Sequence, residues 1–216
     1  TQGKITAEDN LNISNAKTLN NEAGTIFTNE DLQISSTEIN NKGGMIQALK
    51  NLFIKNEDTQ IETVNNDEGL IFAGENLKID AKEISNKDTY NTSGGIYSEG
   101  NIDINVGENG IDNSSGYIGS ANKVDINSEI IFYNNSGYIS AGDNLNITAS
   151  EIENEKGTMI SQADINIIAN TQGFNNEEGY VQANSNLNIN SQGDINNNNG
   201  EISSLGNIDL TSIEGN

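Results

Sequence analysis

The sequence predicts an all-β protein: a right-handed parallel β-helix of about ten coils, about 21 residues per coil, with three short strands in each. Three observations carry this. A glycine returns every 20 to 25 residues, at Gly3, Gly24, Gly44, Gly69, Gly94, Gly116, Gly137, Gly157, Gly179 and Gly200. Aliphatic residues stand two, eight and ten places after each of these glycines. An asparagine closes each complete unit, three residues before the next glycine in eight of nine cases. A fixed period of this size marks stacked repeats.

The first strand follows the glycine. Its inward residue is Ile5, Ile26, Ile46, Ile71, Ile96, Ile118, Ile139, Met159, Val181 or Ile202. Two places on, the residue is always small, from Ala7 to Ser204, which suits a tight inner corner. The seventh place is Asn or Asp in nine of ten units, a turn residue that tolerates left-handed backbone. The second strand carries two apolar residues spaced by two, as in Leu145 and Ile147, so one face points inward. The third carries a single large one: Leu19, Ile39, Val64, Ile84, Ile111, Phe132, Ile152, Phe174 or Ile195. The loops are too short to return an antiparallel partner. Stacking each strand on its copy one coil later, ~4.8 Å away, satisfies the backbone instead. Handedness follows the crossover rule for parallel strands.

Composition alone points elsewhere. Only 33% of the residues are hydrophobic and the net charge is −22, which is the profile of a disordered chain. The periodic pattern outweighs it. With no Cys, there is no disulfide and no thiolate metal site. The absence of Pro suits strands bonded on both sides. Basic residues number ten, all lysine, so nucleic acid is not an expected partner. No apolar run reaches the ~20 residues of a membrane helix, so no membrane insertion is expected.

The closing asparagines are Asn21, Asn41, Asn66, Asn86, Asn113, Asn134, Asn154, Asn176 and Asn197. They read as a structural ladder, because an amide both donates and accepts along a column. The alternative is a polar binding array. Outward positions beside the first inward residue include Met45, Leu70, Phe72, Tyr97, Tyr117, Tyr138, Ile160 and Tyr180. Stacked, they make an apolar, partly aromatic strip that either packs on itself or binds a receptor or glycan. The matching strip of the second strand is polar, from Asn12 and Gln33 through Lys78, Asp103, Asp125, Asn146, Asn166 and Asn188 to Asp209.

Two insertions lengthen the period, KNEDTQIET after Ile54 and NKDTYNTSG at Asn86, with Tyr90 a candidate contact. Asp103 and Asp125 share a register and form the one carboxylate pair worth testing for glycoside chemistry. Nothing supplies an Arg or His beside them, so the chain is not read as an enzyme, and no catalytic residue, metal site or cofactor is assigned. Asn-x-Ser/Thr occurs at Asn12, Asn91, Asn113, Asn134 and Asn146, two of which belong to the ladder column.

Glycine-x-Ile, the small residue, the turn Asn, L-x-I and I-x-N-x-x-G together resemble the haemagglutinin repeats of filamentous haemagglutinin. The same units fill the shafts of contact-dependent growth-inhibition exoproteins. The resemblance runs from residue 3 to the end and implies a single β-helical segment, 1–216, cut from a longer exoprotein. It implies export through an outer-membrane transporter of a Gram-negative bacterium, by regions outside this chain. It also implies a place on the cell surface and a role in adhesion. The alternative within the resemblance is the rod or receptor-binding part of a toxin-delivery protein; a β-helical polysaccharide enzyme is the third reading.

Overall fold

The computed structural model describes residues 3–215; residues 1, 2 and 216 lie outside it. Among the described residues all regular structure is β, in 25 strands. Ten of them form one parallel sheet, the first face: Lys4–Ala7, Thr25–Thr28, Met45–Ala48, Leu70–Ala73, Gly95–Ser98, Tyr117–Ser120, Tyr138–Ala141, Thr158–Ser161, Tyr180–Ala183 and Glu201–Ser204. Each pairs with its equivalent one coil earlier and one coil later, never with its neighbour in sequence. The chain is therefore a parallel solenoid, one coil per glycine-led unit.

Register is kept from coil to coil. Ile5, Ile26, Ile46 and Ile71 stand in one column, which continues through Ile96, Ile118, Ile139, Met159, Val181 and Ile202. The second face stacks Leu11, Leu32, Leu52, Leu77, Ile102, Val124, Leu145, Ile165, Leu187 and Ile208 in the same way. A one-residue slip would turn every such side chain outward, so the apolar columns fix the register. Between Ile26 and Ile189 these columns are buried and join in one continuous core with the third-face residues Ile39, Val64, Ile84, Ile111, Phe132, Ile152 and Phe174.

The second and third segments depart from the expected three separate strands. In four coils they run as one bent strand, Leu11–Asn20, Leu32–Asn40, Leu77–Ser85 and Ile102–Asp112. Irregularities between Ile13 and Ala16, and between Val106 and Gly110, absorb the bend in two of them. In the Ile102–Asp112 strand the corner includes Gly110 at φ 77°, where a Cβ would fall 2.5 Å from Ile131 O.

The asparagines and aspartates of the seventh place stand at the turn before the second strand, as expected. None has left-handed backbone. Their side-chain oxygens accept backbone N–H groups from the next coil: Asn76 Oδ1 accepts from Asn101 N at 3.1 Å, and Asp164 Oδ1 from Asn186 N at 2.8 Å. A left-handed residue lies two places after each closing asparagine: Ala23, Gly43, Glu68, Asp88, Ser115, Ser136, Lys156, Glu178 and Asn199, with φ between 50° and 58°.

Candidate functional site

Two columns stand out on this frame, one inside a corner and one on the first face. At the corner, all nine closing asparagines line up. Each Nδ2 donates to the Oδ1 of the next: Asn21 to Asn41, then Asn66, Asn86, Asn113, Asn134, Asn154, Asn176 and Asn197, each at 2.7 Å. From Asn41 to Asn176 they are fully buried. The remaining donor capacity goes to backbone. Asn134 Nδ2 also reaches Thr158 O at 3.3 Å, and Asn154 Nδ2 reaches Gly157 O at 3.2 Å. Eight of the ten unit glycines, all but Gly3 and Gly94, lie against this column. A Cβ on Gly137 would fall 2.4 Å from Asn113 O and 2.5 Å from Asn134 Oδ1. From Asn41 to Asn176, burial and mutual pairing leave these amides no free face for a ligand.

The first face carries the apolar strip as two parallel columns. Met45, Leu70, Tyr117, Tyr138 and Tyr180 belong to the one beside the glycine. Phe72, Tyr97 and Ile160 belong to the one two places on. All eight are half-buried. Phe27 stands in the second column too, one coil below Gln47. The rule that selects Phe72 selects it equally, so its signal was present in the sequence.

Five rings make one continuous run across both columns, stacked except for the tilted Tyr117–Tyr138 contact. Phe72 and Tyr97 have centroids 5.8 Å apart, Tyr97 and Tyr117 6.4 Å, and Tyr117 and Tyr138 6.0 Å. Tyr90 completes it, 5.0 Å from Tyr138 with the ring planes 7° apart. The run changes column at Tyr117, whose ring leans over Gly119 and whose hydroxyl lies 3.3 Å from Ser140 Oγ. Burial, then neighbouring phenols, push the hydroxyls of Tyr97 and Tyr138 above the ordinary tyrosine value. Tyr180 stands apart from the run, separated from Tyr138 by Thr158.

Tyr90 arrives from the second insertion. After Asn86 the chain lacks the usual glycine, and Thr89 occupies its place. Its Oγ1 donates to Asn86 O at 3.2 Å and accepts the backbone N–H of Tyr117 at 2.9 Å. The loop then continues upward, with Tyr90 N bonded to Ser115 O at 2.9 Å. The first insertion behaves differently. It leaves the second face after Ile54 and returns with Ile61 buried and bridged to Ala81, refilling the core column. Its outer part walls a polar cleft of about 740 Å³ floored by Asn12, Gln33 and Ser35.

The polar strip of the second face is a further ladder. Asn146 Nδ2 donates to Asp125 Oδ1 at 2.7 Å, Asn166 to Asn146 at 2.8 Å and Asn188 to Asn166 at 3.0 Å. Asp103 and Asp125 are adjacent in register, yet each has its own lysine: Lys78 on Asp103, and Lys123 on Asp125 at 2.8 Å. These carboxylates are engaged as a surface charge network, with Phe53 interrupting the column below Lys78. Of the Asn-x-Ser/Thr sites, Asn113 and Asn134 are sealed in the buried ladder, whereas Asn91 is exposed.

The haemagglutinin repeat model matches this chain five times, over residues 6–59, 55–98, 97–134, 131–177 and 166–216. The chain belongs to the haemagglutinin repeat family. Each match spans about two coils of the solenoid. Comparison with curated proteins found no match, and comparison with solved structures found none either.

Proposed function

We propose that this haemagglutinin-repeat solenoid is the shaft and adhesion segment of a secreted bacterial surface exoprotein. In this reading it holds the aromatic strip of its first face toward a receptor or glycan on a host or neighbouring cell. The observation that carries the reading is the stacked run Phe72–Tyr97–Tyr117–Tyr138–Tyr90 on a chain of net charge −22. A half-buried aromatic ridge on an otherwise polar, acidic surface is where desolvation is cheapest for a partner. Family membership supports secretion and a structural or adhesive role rather than catalysis. The lysine pairing of Asp103 and Asp125 supports the same division, since neither carboxylate is left free to serve as acid or base.

A solenoid suits such a role mechanically. Backbone bonds run along its axis in every coil, so the surface is held on rigid elements rather than on loops. The test is adhesion of beads carrying the protein to cultured cells. The double variant Tyr117→Ser, Tyr138→Ser should lose most of the binding, while Tyr133→Ser, on the third face, should keep it. Equal adhesion by the parent and the double variant, at unchanged far-UV circular dichroism, removes the strip as the adhesive surface.

A further inference from the structure

We propose that the tyrosine stack is a site of oxidative cross-linking, and that Tyr90 and Tyr138 are the pair joined. The proposal is independent of the adhesive reading; it rests on ring geometry and on what the chain lacks. Cys, Trp and His are all absent, so the readily oxidised side chains are six tyrosines and two methionines. Met159 is buried and Met45 half-buried, and a thioether takes oxygen to become a sulfoxide rather than a cross-link. Four of the six tyrosines, Tyr97, Tyr117, Tyr138 and Tyr90, lie in one unbroken run with centroids 5.0 to 6.4 Å apart. A phenoxyl radical formed on any of them has a phenol in contact to which it can pass.

The run ends at its closest and most parallel pair. Tyr90 and Tyr138 are 5.0 Å apart with planes 7° from parallel, so the two phenols stack face to face. Tyr97, Tyr117 and Tyr138 are all held on strands whose spacing the backbone fixes. Tyr90 sits on the inserted loop, outside the strands, with 37% of its surface accessible to an oxidant. The oxidant is hydrogen peroxide acting through a haem peroxidase. Each tyrosine gives up one electron and its hydroxyl proton. The two radicals form a carbon–carbon bond at the positions beside oxygen. Each joined carbon then passes its hydrogen to the oxygen, which restores two phenols. The peroxide O–O bond breaks, takes up the two electrons and two protons, and leaves as two waters. The product ties the corner after Asn86 to the seventh coil, a covalent staple in a chain that has no cysteine to form one.

The dilute full chain is treated with haem peroxidase and hydrogen peroxide, then digested and analysed by mass spectrometry and bityrosine fluorescence. The expected result is one intramolecular link, two hydrogens lighter, joining the peptides that hold Tyr90 and Tyr138. The unfolding midpoint in urea should rise after treatment. Tyr90→Phe keeps a ring in the stack, so it should fold as the parent does while losing the fluorescence; Tyr133→Phe should change nothing. Links spread evenly over Tyr133 and Tyr180, links chiefly between molecules, sulfoxide at Met45 without bityrosine, or fluorescence that survives Tyr90→Phe would each overturn the assignment.

Discussion

The phenol of Tyr117 lies across the α-carbon of Gly119: a Cβ placed on that glycine would fall 2.1 Å from the Tyr117 hydroxyl oxygen and 2.4 Å from its Cζ. This glycine sits in the second outward column, level with Tyr97 below and Ser140 above. Its missing side chain lets the aromatic run cross from one column to the other.

Gly119→Ala should therefore expel the Tyr117 ring without disturbing the strand, whose backbone the residue already shares with β neighbours. Forcing a methyl into filled space costs about 1–3 kcal/mol. The expected signs are a weaker near-UV tyrosine signal and a lower urea midpoint, with far-UV circular dichroism unchanged. An unaltered near-UV spectrum would mean that the ring does not rest on Gly119.

The asparagine ladder predicts an ordered series. Asn134→Ala leaves Asn113 Nδ2 and Asn154 Oδ1 each without its 2.7 Å partner in a fully buried corner. Orphaning a buried polar group costs about 1–3 kcal/mol, and here two are orphaned. Asn134→Asp keeps the shape but places a charge there and loses the donor, so at neutral pH it should destabilise more than Ala. Asn197→Ala should cost least, because Asn197 is exposed and has one ladder neighbour. Urea midpoints for the three variants give the ranking; equal losses at Asn134 and Asn197 would refute the column as a source of stability.

Much of this was legible because the coil repeats. An inward position must be apolar in every coil, so Ile118 is supported by Ile96 and Ile139, and the columns emerge from ten readings of one rule. The Asn-x-x-Gly corner is legible for the same reason. What depends on side-chain direction was not. Tyr97 and Tyr117 occupy different columns, and only the tilt of one ring over a glycine joins them. The path of Tyr90 to Tyr138 was hidden because an insertion has no copy to compare with. At the seventh place a turn was legible from Asn and Asp, but not their role as acceptors for the next coil. The true left-handed position holds Ala, Glu, Ser or Lys as readily as Gly, so no glycine signature marked it.

That left-handed position offers a stabilising substitution. Ser136 has φ 54° in the turn closed by Gly137 N to Asn134 O at 2.9 Å. A Cβ there costs about 1–2 kcal/mol. Glycine removes this and gives back about 0.4–1 kcal/mol of unfolded-chain entropy. Ser136→Gly should thus raise stability by up to about 1 kcal/mol, as the native Gly43 already does at its own corner. Ser136→Val should lower it, since a β-branched residue is a genuine outlier at this angle. Chemical denaturation of the two variants checks the sign, and a destabilised Ser136→Gly would show that the turn carries no such strain.

Stability should peak on the acid side of neutral. Burial first, then Glu151 and Glu155, raises Glu153 above the ordinary glutamate value, despite the 2.7 Å bond from Asn175 Nδ2. A raised carboxyl binds its proton more tightly folded than unfolded, so stability grows as pH falls through that range. Self-repulsion at a net charge of −22 is relieved over the same interval. Asp164 works the other way: the N–H of Asn186, then Ser185, holds it below the ordinary aspartate value, so its contribution is lost on further acidification. On the alkaline side, Tyr97 and Tyr138 are raised chiefly by burial, and Lys50, Lys82 and Lys156 chiefly by hydrogen bonds to Glu30, Glu62 and Glu155. All five then bind protons more tightly in the folded state, and stability falls as pH rises past their ordinary values. Urea midpoints measured from about pH 3 to 11 should trace this dome. Glu153→Gln should flatten its rise on acidification, and Asp164→Asn should flatten its fall at still lower pH. A midpoint that declines steadily from neutral to acid in the parent would reverse the sign assigned to Glu153.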